Sequence, residues 1–364
     1  MSGRIDRRLL WIAALLVLVG FVVLYSASAP FSLRHYGSGT HMLAKQVIAA
    51  LVGIVLLIGF ARFDYHRLAA INDVLLVGAI GLTAITLLPI GFVDGRWISL
   101  GPFAFQPTEC LKLTLIVYLA AAIARKGERV RSFGHGVLPF LAVLAVLGAL
   151  VLNQPDLGML LIYAALTVAM LFFGGANLWH LAGIVGAGLP LVALAIRLAP
   201  YRFARILSFL DPRAYSTSSG YQTMQSLIAV GSGGLLGRGL GASRAKLFYL
   251  PQAHNDFILS IVAEETGLVG TLVILGLIGL LVWRAFVISE RAPDRLGQLL
   301  AFGIGFTIGF QALVNAGVVV GILPVTGMTF PFLSNGGSSL IVTLAMVGVL
   351  LNVSRHGDQE GVAQ

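Results

Sequence analysis

The chain has 364 residues, 58% hydrophobic and only 11% charged, with a mean hydropathy of +0.93 and a formal net charge of +9. Soluble domains carry about 25% charged residues, so a water-soluble enzyme is excluded and the expected class is an all-α polytopic membrane protein. One cysteine, Cys110, excludes an intramolecular disulfide. The basic residues are scattered over short loops, which fits topology determinants and anion contacts rather than nucleic acid.

Arg4, Arg7 and Arg8 precede the apolar run Leu9–Tyr25, and Ala27–Ala29 resembles a signal-peptidase site. The run exceeds the about 7–15 residues of a secretory h-region, so it is read as an uncleaved first span. A spanning helix needs about 20 apolar residues. Ten segments qualify, near 8–28, 44–61, 71–92, 108–124, 136–152, 157–174, 178–198, 266–288, 296–322 and 336–354. Arg62 and Arg67, the Arg125–Arg131 group, Arg284, Arg291, Arg295 and Arg355 then fall on the same side as the N-terminus, while the short loops opposite hold only Arg34 and Arg96. The positive-inside rule puts both termini in the cytoplasm, the last as a short tail over 355–364.

One segment breaks that rule. The large outer loop, about 199–255, carries Arg202, Arg205, Arg213, Arg238, Arg244 and Lys246. Contact with lipid head groups and the handling of an anionic substrate are both open readings. Within it, Tyr221–Val230 has the apolar spacing of a short interfacial helix. The glycine-rich run Gly231–Gly241 follows as flexible backbone, without P-loop spacing.

Four constellations carry polar chemistry. Asp256 lies in Tyr249–Ile258, with His254 before it and Glu264 and Glu265 after it. A carboxylate at a membrane boundary is costly to desolvate; it serves either as a helix cap or in chemistry, at the start of a surface helix leading into a cavity. Glu109 and Lys112 are i, i+3 neighbours in a helix opened by Pro107, as a structural ion pair or as the wall of a polar cavity. Asp156, in Asn153–Gly158, reads as a turn or cap residue. Pro324–Ser339 breaks helix regularity where the last span begins; Ser334, Ser338 and Ser339 either line a watery cavity or permit close helix packing. No zinc-type spacing, Ser-His-Asp set or nucleotide fingerprint stands out.

Together these segments resemble the SEDS family (shape, elongation, division and sporulation proteins, the FtsW, RodA and SpoVE group) from the first span to Arg355. Gln106–Lys112 (QPTECLK) is similar to the family's QPSE-x-x-K helix and Gln154–Gly158 to its QPDLG turn. Gly220–Ser226, Ile228–Gly234 and Pro331–Ser339 (PFLSNGGSS) look like its loop helix and PF-x-SYGGSS signature. Gly239–Pro251 is similar to the division-type FtsW and sporulation branches rather than to RodA. Departures occur where Gln252 replaces a Glu, Asn255 a Thr and Asn335 a Tyr.

The resemblance implies one integral membrane domain, 1–364, acting as a peptidoglycan glycosyltransferase for septal wall synthesis. It implies that lipid II is polymerised at the outer face of the bacterial cytoplasmic membrane into β-1,4 glycan strands carried on undecaprenyl diphosphate. Asp256 aligns with the family's essential aspartate and is expected as general base. Arg202, Arg205, Arg244 and Lys246 are expected at the diphosphate. Arg96, Glu109 and Lys112 would shape the cavity entrance, with His254 and Ser338 nearby. A divalent cation could assist, although no dedicated metal site is visible. The implied partners are a class B penicillin-binding protein transpeptidase and other divisome membrane proteins. A lipid II flippase, a RodA-type elongation polymerase that controls cell shape, and a division scaffold remain alternatives.

Overall fold

The computed structural model describes residues 5–101, 103–154, 156–211 and 219–360; Arg4, Pro155 and Arg213 of the segments above lie outside them. Among the described residues, eight helices are long and apolar enough to cross a membrane, and two shorter apolar helices accompany them. Each of the ten expected segments therefore contains a helix.

α1 (Arg7–Tyr36) starts at Asp6, whose carboxylate accepts the Leu9 amide at 3.0 Å, and ends at Gly37 in the left-handed conformation. α2 (His41–Arg62), a single-turn α3 (Tyr65–Ala70) and α4 (Asn72–Ile85) follow. The third span was expected to reach residue 92, but α4 stops at Ile85. A small antiparallel sheet follows, formed by β1 (Val93–Asp94), β2 (Trp97–Leu100) and β3 (Phe103–Phe105). Asp94 pairs with Trp97, so Gly95 and Arg96 form the two-residue hairpin turn, with Gly95 at φ 58°. Glycine at the first position of a two-residue loop is a hairpin signal; here it outweighs the apolar run before it.

α5 (Pro107–Lys126) takes Pro107 at its first position, where the missing N–H costs nothing. α6 (Leu138–Asn153), α7 (Leu157–Phe173) and α8 (Leu178–Arg197) complete the first part. α9 (Pro200–Leu210) and α10 (Ser219–Gly233) occupy the long loop. α10 contains the expected Tyr221–Val230 helix, yet it packs on the bundle: Ser226 is buried and donates to the Val319 carbonyl at 2.7 Å. α11 (Ile258–Glu290), α12 (Arg295–Val319) and α13 (Gly337–Glu360) close the fold. α13 runs to Glu360, so the expected tail begins as helix.

The centre of the bundle is α5, α12 and α13, whose apolar windows are 72%, 67% and 83% buried; α8 is 6% buried and faces outward. Lipid tails are as apolar as leucine, so helices associate in membranes through close packing. The α2–α13 seam illustrates this: a Cβ on Gly348 would sit 2.8 Å from the Leu57 Cα, and one on Gly53 would be 3.2 Å from the Leu344 Cβ.

α11 is two helices. Gly267 (φ 67°, ψ −166°) interrupts it, and the preceding stub 258–266 is buried inside the bundle rather than lying on the surface as expected. The backbone groups freed by the break are met by the glycine-rich run. Arg238 and Gly239 amides donate to the Glu264 and Glu265 carbonyls at 3.0 Å each. The Leu268 and Val269 amides donate to the Gly234 and Leu235 carbonyls at 2.9 and 3.1 Å. Irregular backbone at membrane depth persists only when satisfied in this way. The run expected as flexible linker is thus a splice, held so closely that a side chain on Gly237 would overlap the Glu265 backbone.

Candidate active site

Asp256 sits in a tight turn between Leu250 and α11. Gln252, a non-glycine residue at φ 56°, turns the chain so that its carbonyl accepts the Asn255 amide at 3.0 Å and the Phe257 amide at 3.4 Å. Phe248 (φ 68°) and Phe332 (φ 66°) are also left-handed. Such backbone costs on the order of 1–3 kcal/mol each and gathers at functional sites. All three non-glycine cases among the described residues flank this turn or the loop packed against it.

That loop joins α12 to α13. The Asn335 amide donates to the His254 carbonyl at 2.9 Å, and the Ser334 hydroxyl donates to the Asn255 carbonyl at 2.7 Å. From α12, the Asn315 side chain donates to the Asp256 carbonyl (2.8 Å) and to the Met328 carbonyl (2.7 Å). From α2, Gln46 donates to the Ser334 carbonyl at 3.2 Å. The Asp256 turn is therefore held by α12 and by the α12–α13 loop, which α2 braces in turn. The Asp256 carboxylate accepts no hydrogen bond among the described residues.

The carboxyl is pushed up to about 6, chiefly by burial, against the pull of Arg96 and Arg205; the Asp156 carboxylate adds to the rise. Asp256 keeps a partial opening to solvent. His254 is buried, packs tilted against Phe31 with ring centroids 4.7 Å apart, and is lowered to about 4 by burial and then by His35; it stays neutral.

The expected residues separate into three groups. Arg96, at the hairpin tip, pairs with Asp156 at 2.6 Å, and Arg205 donates to the Val325 carbonyl at 3.4 Å. Both act electrostatically on Asp256. Asp156 also caps α7 by accepting the Met159 amide, as its turn position suggests. Glu109 and Lys112 form a buried pair at 2.6 Å, deeper than the expected cavity entrance. Lys112 also donates to Gln311 (2.9 Å), Gln311 to the Thr329 carbonyl (2.9 Å), and the Thr329 and Ser339 hydroxyls meet at 3.2 Å. Ser338 accepts the Gln106 amide at 3.0 Å and so ties α13 to the start of α5.

In the third group, Arg202 and Lys246 are committed elsewhere and Arg244 is not. Arg202 is buried and donates to the Leu152 and Ala195 carbonyls and to the Tyr201 hydroxyl. Lys246 is buried and bound to Glu265 at 2.6 Å. Arg244 is exposed, and its side chain makes no ion pair among the described residues. Gln311, Asn315 and Gln46 escaped the sequence reading; their signal was a polar amide inside a span, which marks a cavity or a contact that must be satisfied.

Gln252, Asn255 and Asn335, the three departures from the family pattern, form one chain. Asn255 donates to the Gln252 side chain, and Asn335 donates to the Asn255 side chain at 3.1 Å. The altered residues therefore answer one another beside Asp256.

A family model described as "Cell cycle protein" (FTSW_RODA_SPOVE) matches residues 7–359. A Trichlorobacter lovleyi protein named probable peptidoglycan glycosyltransferase FtsW is 42% identical over 353 residues, covering 96% of this chain and 93% of its own. Stage V sporulation protein E of Bacillus subtilis is 39% identical, covering 96% and 97%. Among solved structures, a chain from a peptidoglycan synthase complex that coordinates polymerization and crosslinking superposes with a TM-score of 0.81 at 31% identity, covering 97% and 98%. The Thermus thermophilus rod shape determining protein RodA gives 0.71 at 30% identity, covering 97% of each chain.

Proposed function

Since the chain belongs to the FtsW/RodA/SpoVE family of cell cycle proteins, we propose that it is a division-type peptidoglycan glycosyltransferase whose Asp256 is the general base. The observation that carries the catalytic assignment is a carboxylate free of hydrogen bonds among the described residues, raised to about 6 and flanked by Arg96 and Arg205. A base works best with its pKa near the operating pH, and a carboxylate locked in ion pairs would be too weak.

The reaction joins the reducing-end sugar of a growing strand to the 4-hydroxyl of the GlcNAc of lipid II. An α-linked diphosphate donor giving a β-1,4 product implies one inverting displacement. Asp256 takes the proton of the acceptor hydroxyl as its oxygen attacks the anomeric carbon. Undecaprenyl diphosphate departs from the opposite face. Arg205 and the exposed Arg244 supply guanidinium groups suited to phosphate oxygens. Arg96 reaches the same region while tethered to Asp156. The Glu109–Lys112 pair and Ser338 hold the wall behind the site. Arg202, Lys246 and His254 support the surrounding loops. The site opens on the outer face of the cytoplasmic membrane, and a class B penicillin-binding protein is its crosslinking partner. The likeness to a chain of a peptidoglycan synthase complex supports that pairing.

The test is polymerisation of lipid II by purified protein, with and without the cognate transpeptidase. Wild type is expected to make glycan strands and Asp256→Asn to lose about 10²–10⁴ of the rate. Strands at a comparable rate from Asp256→Asn would overturn the base assignment.

A further inference from the structure

The end of the bundle remote from Asp256 holds a second built feature. α1 links the two: Phe31 packs against His254, while Arg7 and Arg8 lie at the other end. There a cavity of about 470 Å³ opens between α1, α11 and α13, and Arg7, Arg8, Arg284 and Arg291 line it. Among the described side chains, Asp6 is the only carboxylate in its lining. Asp6 pairs with Arg284, with side-chain exposures of 8% and 12%, and also caps α1. Arg7, Arg8 and Arg291 are exposed and make no ion pair among the described residues. Among the described side chains, the cup therefore carries four guanidinium groups against one carboxylate.

An apolar groove of about 790 Å³ adjoins it between α1, α2 and α13, and Ile5 lines both. The groove carries Arg62 and Arg355 at its charged end and runs along α1 from Leu10 to Phe21. At 1.5 Å per residue that stretch is roughly 16 Å, about half of a 30 Å hydrocarbon core. Its length is that of an acyl chain in one leaflet, not of a long polyprenyl tail. Trp11 and Trp283 are exposed beside the cup, with the Arg284 guanidinium 5.5 Å from the Trp283 ring; exposed tryptophans mark head-group depth.

We propose that the arginine cup and the α1–α2–α13 groove form one binding site for an anionic glycerophospholipid, with the phosphate head group on Arg7, Arg8 and Arg291 and an acyl chain along α1. Basic pockets between helices on the cytoplasmic side suit such head groups. The site is remote from the polymerisation centre and independent of the function assigned to it.

The experiment reconstitutes the full chain in phosphatidylcholine nanodiscs and titrates phosphatidylglycerol, reading bound lipid by native mass spectrometry. Wild type is expected to retain phosphatidylglycerol over phosphatidylcholine. The Arg7→Gln/Arg8→Gln/Arg291→Gln variant is expected to bind it roughly 10- to 100-fold more weakly, with its melting temperature in pure phosphatidylcholine unchanged. If that variant melts early, Ala14→Phe, which fills the groove and leaves every arginine in place, is expected to show the same loss of retention. Equal retention by wild type and both variants overturns the site. A parallel titration with undecaprenyl phosphate separates the two lipid sources: preference for it over phosphatidylglycerol, lost with the arginines, overturns the assignment to a glycerophospholipid.

Discussion

Eight residues separate Asp256 from Glu264, yet the protein treats their carboxylates in opposite ways. Glu264 accepts the Ser243 hydroxyl at 2.5 Å, the Arg244 and Ala245 amides at 3.1 Å each, and Arg238 at 3.3 Å. Its neighbour Glu265 accepts Lys246 at 2.6 Å and Ser26 at 2.7 Å. Asp256 accepts nothing among the described residues and sits where burial raises it to about 6. The glutamates bind one stretch of chain, 238–246, to the stub of α11. The aspartate has its backbone held by Asn315 and its carboxylate left open. Acidic residues that anchor a loop are saturated with donors, and the one proposed as general base is left without any.

The contrast can be broken from either side. The largest effect on folding is expected from Glu265→Gln, which leaves the Lys246 ammonium buried without its partner; loss of one member of such a pair costs about 3–5 kcal/mol. A chemical melt in detergent checks this, and adding Lys246→Met should recover part of the loss. Asp256→Asn should act in the opposite direction. The carboxyl rises from its ordinary 3.8 to about 6, and each unit is worth about 1.36 kcal/mol. Ionised Asp256 therefore costs the fold on the order of 2–3 kcal/mol. That cost is present above pH 6, shrinks as pH falls through 6, and is gone below 3.8. The variant should accordingly be more stable than wild type at pH 8 and equal to it near pH 3.5, as paired melts at the two values would show. In the polymerisation assay, the acidic limb should centre near pH 6, with about tenfold loss per unit below it; a limb near 4 would mean an unburied base. The smallest effect is expected for Asn335→Ala, which removes one amide link in the chain beside the site and should cost about 1 kcal/mol, with Asn255→Ala non-additive in a double-mutant cycle.

The sequence made the ten apolar segments and the singular carboxylate of Asp256 legible, because hydropathy and a lone charge beside a span are local signals, while the turn that holds Asp256 was read as the start of a surface helix. The Gly95-Arg96 turn was equally local; it was overshadowed by the apolar stretch before it. Lys246 and Arg202 looked like free cations because their partners, Glu265 and the Leu152 carbonyl, lie 19 and 50 residues away. Burial of a charge is a property of the fold and leaves no mark in the neighbouring residues. The glycine-rich run was legible as unusual backbone, while its purpose required the 264–269 segment beside it. The amide chain of Gln252, Asn255 and Asn335 also needed the fold, since it joins two loops about 80 positions apart.

The break at Gly267 also settles a mismatch of lengths. An uninterrupted α11 of 33 residues would be roughly 50 Å long, against a hydrocarbon core of about 30 Å. A rod that long must tilt steeply, thicken the bilayer or push its end into water, each at an energetic cost that grows with the excess. Interrupting it leaves residues 268–290, roughly 34 Å, to match the lipid. The remaining stub is freed from the membrane normal and takes its direction from the glycine splice instead. The orientation of Asp256, one residue from the stub's first turn, is therefore set by protein packing and should be insensitive to bilayer thickness.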